Sequence, residues 1–468
     1  MTFDLSRRLF LGAAAAATAT PAGLLAAKPA AKPGKAPENP LVRQRADAQI
    51  FRHEDGLYYM TASVPEYDRL ILRRSKTIAG LSTAEEAVLW RRPASGKLAG
   101  YIWAPELHSI DGRWYMYFAA GDGGEPFRIR TYVLRCLGAD PMSAKWEVMG
   151  QFETPWDTFT LDSTVFVHRG TRYICWAQKE PGIETNSNLY LAPLATPTTL
   201  KRAPTRLTVP TLPWEIRGFK VAEGAAPLIR NGRLFMTYSA SATDARYCLG
   251  LLTAPDDADL MDPRVWIKSP DPVFVTSRET SVYGPGHNSF TVDEQGRDVL
   301  VYHGRDYEAI KGDPLFDPNR HTRVQRLYYR ADGTPDFGIP VGNGALPERF
   351  APTTAPGRFL AQVDGALSVG TAALPATQFR TLTSGGVQML SPIERPDHVV
   401  AVGADRKVEL IRNDGSADTL RRAALVREAG ADGSVRWLSK AGGGALAPVA
   451  GGLGMVARND TAARWKVD

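Results

Sequence analysis

Short apolar runs broken by polar turns fill most of this chain, and none keeps a helical period over any length. In "DGRWYMYFAA", which starts at Asp111, an Asp-Gly turn leads into Trp114, Tyr115, Met116, Tyr117 and Phe118. That order predicts a hairpin, because glycine supplies the positive φ of a tight turn and aromatic residues favour strands. The arrangement returns in "DGLYYMTAS", "RGTRYICWAQ", "NGRLFMTYSA" and "QGRDVLVYHG". The turn glycines Gly56, Gly112, Gly170, Gly232 and Gly296 are 56, 58, 62 and 64 residues apart. Five strand-rich units at a near-constant spacing predict a five-bladed β-propeller, with sizeable loops, rather than a helical solenoid.

Reading back eight or nine residues from each turn glycine gives Asp47, Trp103, Asp162, Glu223 and His287. Each stands at the start of a short strand that runs into the turn. In a propeller the equivalent strand of every blade lines the central channel, so these five side chains are expected to meet at one mouth of it. Singly, each has an ordinary explanation as a cap, a solvated acid or a core aromatic. Together they place three carboxylates, an aromatic and an imidazole in one register, and buried carboxylates are costly unless paired or used. Separated carboxylates around a cavity suit glycosidic bond hydrolysis, in which one acid protonates the leaving oxygen and another takes a proton from water. The third raises the pKa of the acid by repulsion.

The order Asp47, Asp162 in "LDSTVF" and Glu223 in "EGAAPLI", with the segments "WAPELH", "GPGHNSF" and "NRHTRVQ", resembles glycoside hydrolase family 43 over about residues 40–345. The resemblance implies an inverting enzyme on a five-bladed propeller, acting on arabinofuranosides or xylosides. It implies Asp47 as general base, Glu223 as general acid, and Asp162 as the residue that tunes and orients the acid. Arg320 matches an arginine that contacts the sugar in the first subsite. His287 matches a histidine near the channel axis, which in many members helps hold calcium or another ion; no cofactor is implied for the chemistry itself. Trp103, Trp176 and Tyr283 are expected to line the sugar pocket, with blade core as the alternative for Trp176. Glu106 is expected either to bind sugar hydroxyls or to satisfy backbone. "TASVPEYDRLILRRS" and "SASATDARYCLGLLTAP" look most like the exo-acting α-L-arabinofuranosidase branch. The expected reaction is release of terminal α-L-arabinofuranose from arabinan, arabino-oligosaccharides or arabinoxylan by a monomer. β-Xylosidase, endo-arabinanase and a non-catalytic sugar-binding propeller are the alternatives.

After "RFAPTTAPGR" the texture changes to Gly, Ala and Val with few aromatics. "GGVQMLS" and "GSVRWLS" recur 48 residues apart, and three units of about forty residues suggest a β-trefoil. It resembles the arabinofuranose-binding module attached to such enzymes, which uses His and Asp in each repeat. Here the expected histidine positions read Gln362, Val402 and Pro448, with Asp418 and Asp460 as candidate acids.

Composition adds the destination of the chain. "SRRLFLGAAAAATATPAGLLAA" carries Arg7-Arg8 before a mild Ala-rich run, as in a twin-arginine export signal, and is too weakly apolar to remain as a membrane span. Of the net charge of +6, residues 1–45 supply five, so the basic balance does not point to nucleic acid. Cys136, Cys175 and Cys248 form no disulfide or metal-ligand pattern, and buried free thiols are expected. The predicted organisation is a signal over 1–27, a Pro/Lys linker over 28–40, an all-β propeller over 41–350 and a trefoil over 357–468.

Overall fold

The computed structural model describes residues 36–384, 386–450 and 452–468, so the expected export signal lies outside the described residues. The main body is five antiparallel sheets, each an up-and-down run of consecutive strands. The first holds Ala46–Arg52, Tyr58–Ser63, Arg69–Ser75 and Glu86–Arg91, and the second Ile102–Ile110, Arg113–Ala120, Arg130–Cys136 and Trp146–Gln151. The third is built on Thr160–His168, Thr171–Gln178 and Asn188–Thr196, with Thr199–Leu200 and Thr205–Thr208 on its outer edge. The fourth holds Ala222–Arg230, Arg233–Ala240, Cys248–Pro255 and Ile267–Lys268; the fifth holds Tyr283–Val292, Asp298–Arg305 and His321–Arg326. This is the expected five-bladed propeller.

The hairpin turns follow the sequence signal. Asp111 and Gly112 have φ of 50° and 72°, and Asn231 and Gly232 have 53° and 71°, the pair of positive angles a two-residue turn needs to match strand twist. Packing lies between blades. Leu70 and Tyr59 of the first meet Leu107 and Met116 of the second; Tyr117 and Val133 of the second meet Ile174 and Trp176 of the third. Ile50 and Met60 of the first meet Val299 and Val301 of the fifth, closing the circle. The three cysteines are buried free thiols.

The predicted linker is shorter than expected. Glu38–Asn39 pairs with Gly344–Ala345, and Val42 bridges Thr322 at the free edge of the fifth blade. Residues 38–42 are therefore a structural latch. Their sequence is Pro-flanked, but Asn39 is buried and bonds three backbone groups of the fifth-blade side, which holds the segment down.

From Phe350 onward twelve strands follow. Six form the main path of an eight-stranded sheet, in the order Phe350–Pro352, Trp465–Val467, Val435–Ser439, Leu425–Ala429, Val387–Pro392, Phe379–Ser384, with Gly444–Val449 and Gly452–Val456 joined to it through Val435–Ser439. A bridge from Glu348 to Phe379 brings its two edges together. Three hairpins account for the other six: Phe359–Val363 with Ala366–Gly370, His398–Val402 with Val408–Arg412, and Gly444–Val449 with Gly452–Val456. Phe350, Trp437 and Trp465 are buried in its core. A short helix, Ala417–Ala423, interrupts the strands. No helix among the described residues is long and apolar enough to cross a membrane.

Candidate active site

Each innermost strand contains a β-bulge near its start, and the bulge recurs in all five blades. Register shifts fall between Ala46 and Gln49, Trp103 and Glu106, Leu161 and Thr164, Glu223 and Ala226, and Gly286 and Ser289. At the bulge, Asp47, Ala104, Asp162, Gly224 and His287 all have left-handed φ, at 53°, 45°, 54°, 57° and 41°. A non-glycine residue held there costs roughly 1–2 kcal/mol, and such strain is concentrated at functional sites. A bulge re-aims side chains at the end of a strand. Here it turns Asp47, Asp162 and His287 onto one another. His287 Nδ1 lies 3.5 Å from Asp47 Oδ1 and 3.7 Å from Asp162 Oδ2.

This corrects the expected register. Trp103 and Glu223 were counted as equivalent to the two aspartates, yet the bulge places them one residue earlier. The equivalent positions are Ala104 and Gly224. Loops of unequal length hide the bulge from a count back to the turn glycine. Glu223 nevertheless belongs to the same group, because Gly224 beside it donates its N–H to Asp162 Oδ2 at 3.0 Å. A Cβ on Gly224 would meet His287 Cγ at 3.0 Å, so glycine permits this approach as well as the φ.

The three carboxyls stand in different fields. Burial alone would raise Asp47, but Arg320, His287 and His303 together hold it well below the usual carboxylate range. Arg320 Nη1 donates to Asp47 Oδ1 at 3.2 Å, and both the N–H and Oδ1 of Asp47 lie 3.2 Å from His303 Nδ1. Burial pushes His303 down to about 4, so it is neutral near Asp47. Burial and the charge of Asp162 push Glu223 up to about 8. Burial and the charge of Asp47 likewise raise Asp162. The pair therefore retains a proton at neutral pH, and the Gly224 N–H biases the negative charge towards Asp162. Tyr247 donates to Glu223 Oε1 at 2.8 Å. One ionised carboxylate and one protonated carboxylic acid thus face one group of residues.

An aromatic wall adjoins the aspartate side. Arg320 Nη2 donates to Tyr67 Oη at 2.9 Å, and Tyr67 packs on Tyr101 and Trp103 at 5.8 and 5.9 Å. Tyr101 and Trp103 stack at 5.7 Å, and Phe127 and Phe316 close on Tyr101 at 5.1 and 5.7 Å. Phe127 and Phe316 are half exposed. Trp103 Nε1 is buried without a hydrogen-bond partner among the described residues.

Two expected pocket residues stand elsewhere. Trp176 is fully buried between Phe152 and Tyr190, with its N–H on Gln178, so it is blade core and cannot touch a sugar. Tyr283 opens the strand Tyr283–Val292 and interacts with Arg278. Among the described residues it makes no hydrogen bond or ring contact with the acid group. Glu106 is buried deeper in the channel, where Oε2 is 2.9 Å from His108 Nε2 and 3.4 Å from Gln49 Nε2 of the first blade. Its partners are protein side chains that join two blades.

The model of glycosyl hydrolases family 43 matches residues 37–335. This chain belongs to glycosyl hydrolases family 43. The extracellular exo-alpha-(1->5)-L-arabinofuranosidase of Streptomyces avermitilis is 46% identical over 432 residues, 91% of this chain and 90% of that protein. A protein of the same description from Streptomyces chartreusis is 56% identical over 314 residues, 66% of this chain and 94% of its own length. The crystal structure of an alpha-L-arabinofuranosidase from Lactobacillus brevis is 52% identical, with a TM-score of 0.64, over 66% of this chain and 98% of that one.

In this family 43 chain, the Nδ1 side of His287 does not by itself form a cation site. Calcium takes six to eight oxygen ligands. His287 Nδ1 instead faces two carboxylate oxygens, one of them already bonded by the Arg320 cation. Among the described residues no group of three His, Cys, Asp or Glu side chains is arranged to hold a metal. Two contributors to the site were not anticipated. Tyr247 and His303 stack face to face at 5.7 Å, one behind Glu223 and the other behind Asp47. His303 was findable, since it sits opposite Gly286 on the neighbouring strand. Tyr247 lies in a loop, and nothing in its sequence spacing marks it.

Proposed function

We propose that this family 43 glycoside hydrolase is an inverting, exo-acting α-L-arabinofuranosidase that removes terminal arabinofuranose from arabinan, arabino-oligosaccharides or arabinoxylan. The observation that carries the reading is the buried group of Asp47, Asp162 and Glu223, with the Arg320 guanidinium on Asp47 and Asp162 bonded to the N–H beside Glu223. The charge balance beside Arg320 keeps Asp47 ionised, fit to take a proton from water attacking the anomeric carbon. Burial beside Asp162 keeps Glu223 protonated, fit to give its proton to the departing glycosidic oxygen. In an inverting hydrolysis the water attacks the face opposite the leaving group, so the two roles fall to different residues. Asp162 is a positioning residue: it holds the Gly224 N–H next to the acid and supplies the repulsion that raises it. Arg320 and His287 are the polar groups offered to the sugar, and Tyr101, Trp103 and Phe127 the apolar faces. The substrate class is supported by the descriptions of relatives at 46–56% identity over most of the propeller.

The same reading makes the chain an exported enzyme, supported by the extracellular description of both Streptomyces relatives. It makes the C-terminal unit a β-trefoil, supported by six sheet strands and three hairpins. That unit is a structural module rather than an arabinose binder. Asp460 caps the turn at Thr461–Ala463, Asp418 is paired with Arg421 on the short helix, and Gln362 is bonded to Glu394.

The test is hydrolysis of a nitrophenyl α-L-arabinofuranoside and of linear arabinan, with the anomer of the product followed by NMR. The first product is expected to be the inverted anomer of single arabinose units. Glu223→Gln and Asp47→Asn are each expected to lower kcat by about two to four orders of magnitude on arabinan. Full activity in either variant defeats the role assigned to it, and release of xylose but not arabinose defeats the substrate.

A further inference from the structure

The second and third blades carry a cleft of 390 Å³ whose lining includes Lys97, Arg130, Tyr132, Gln151, Glu153 and Trp156. It lies outside the acid group but opens at the same end of the propeller. Innermost strands begin at the acid group, and strands alternate in direction, so third strands begin and fourth strands end there as well. Arg130 and Tyr132 stand at the beginning of the third strand Arg130–Cys136, and Gln151 at the end of the fourth, Trp146–Gln151. The two sites are also joined along the chain. Phe127 of the aromatic wall is followed by Arg128 of the cleft, and Gly123 of the same loop bonds Gly96, the neighbour of Lys97.

The lining is charge-balanced and polar. Lys97, Arg128 and Arg130 stand against Asp122, Glu153 and Asp157, so no net charge recruits an ion. The cations and acids that pair do so with each other: Arg130 Nε with Asp157 at 2.6 Å, and Arg128 with Asp122 and Asp157 at 3.3 Å. What remains is a mixed set of donors and acceptors. The Lys97 ammonium, the Gln151 amide, the Glu153 carboxylate and the Trp156 N–H have no hydrogen-bond partner among the described residues. Tyr132 joins them: its ring is buried, and its hydroxyl makes no hydrogen bond among the described residues. Trp156 is braced edge-on by Tyr190 at 5.4 Å, which holds its ring as part of the wall. A neutral ligand with hydroxyls on its edges and C–H groups on its faces satisfies this lining; an anion, a cation or a wholly apolar group does not.

We propose that the cleft is a second carbohydrate site, which holds neutral pentose residues of the polysaccharide beyond the sugar being released. The assignment rests on the arabinofuranosidase reading for its ligand. A chain end seated at Asp47 and Glu223 passes the exposed Phe127 and reaches Trp156, so the enzyme grips a polymer at two points. An aryl arabinofuranoside is too short to reach the cleft and serves as the internal reference.

The test compares full-length Trp156→Ala, Tyr132→Phe and Gln151→Ala with the wild type on debranched arabinan and on nitrophenyl α-L-arabinofuranoside. The ratio of kcat/KM on polymer to kcat/KM on aryl glycoside is expected to fall at least fivefold in Trp156→Ala. Loss of one hydrogen bond is expected to lower it about two- to tenfold in Tyr132→Phe and Gln151→Ala. Retardation in native gels containing arabinan, measured on the Glu223→Gln background, is expected to weaken in parallel. Tyr132→Phe deletes a single oxygen and keeps the test open if Trp156→Ala fails to fold. An unchanged ratio and unchanged retardation overturn the proposal. A wild type inactive on the aryl glycoside but retarded by arabinan, with retardation lost in the cleft variants, overturns the arabinofuranosidase reading and leaves the cleft standing.

Discussion

Glu223 and Asp47 are both buried carboxyls in one cluster, and what separates them is which neighbours they have. Asp47 has a guanidinium at 3.2 Å; Glu223 has Asp162 and a tyrosine hydroxyl. The consequence is a pH profile. With the proposed roles of Asp47 as base and Glu223 as acid, activity is expected to fall as pH rises through about 8 and to fall on the acid side only below the usual carboxylate range. Asp162→Asn removes the like charge beside Glu223, and the alkaline limb of kcat/KM is expected to move to lower pH; an unmoved limb excludes Asp162 as the source of the shift. Stability carries the same signature. A free glutamate gives up its proton near 4.5, whereas the folded one keeps it to about 8. Across that window the unfolded chain binds fewer protons than the folded chain, and stability declines by up to about 1.4 kcal/mol per pH unit. Glu223→Gln removes this loss, so its gain in Tm over the wild type is expected to be larger at pH 8 than at pH 5. Equal gains at both values would contradict a raised pKa.

The bulge at the start of each inner strand converts five similar hairpins into a site. Turn glycines made the blades legible in the sequence, because a two-residue turn needs φ that few other residues adopt. They also brought the five rim segments into rough register. The bulge itself left no such mark: aspartate, alanine, glycine and histidine all occupy it, so the count placed Trp103 and Glu223 one residue off. Apolar patterning likewise could not separate Trp176 in the blade core from Trp103 at the rim, since both stand within strands among apolar neighbours. Tyr247 and His303 reach the acids from neighbouring strands and loops, which a reading of inner strands alone does not see. If the left-handed bulge matters, Gly224→Ala is the variant that reveals it. An added Cβ meets His287 and strains φ, at roughly 1 kcal/mol of stability. The expected result is a normal β-sheet circular dichroism spectrum with kcat reduced at least tenfold, because the N–H on Asp162 and the Glu223 carboxyl move together. Unaltered kcat would show that the acid tolerates movement of the bulge.

On the scale of the molecule, the site spans the seam of the propeller. Asp47 comes from the first blade and Arg320 from the edge of the fifth, 273 residues later in the chain. Only closure of the ring sets that pair at hydrogen-bond distance, and the closure is narrow. Val42 bridges Thr322, Thr322 Oγ1 bonds Arg45 O, and Asn39 fixes the segment before them. Asn39 Nδ2 donates to Val324 O and Val341 O at 2.9 and 3.1 Å, and Oδ1 accepts the Val324 N–H at 2.9 Å. Asn39→Ala leaves the Val324 N–H and O without these partners, while Val341 O keeps Arg323 Nη1 at 3.3 Å. At about 1 kcal/mol for each hydrogen bond, the variant is expected to lose roughly 2–4 kcal/mol of stability. Because the latch holds the strand that carries Asp47, thermal inactivation of hydrolysis is expected to precede loss of the C-terminal unit, whose core around Trp437 and Trp465 is separate. Residual activity after graded heating, set beside tryptophan fluorescence, measures this order. If activity and fluorescence are lost together at an unchanged temperature, the latch does not govern the site.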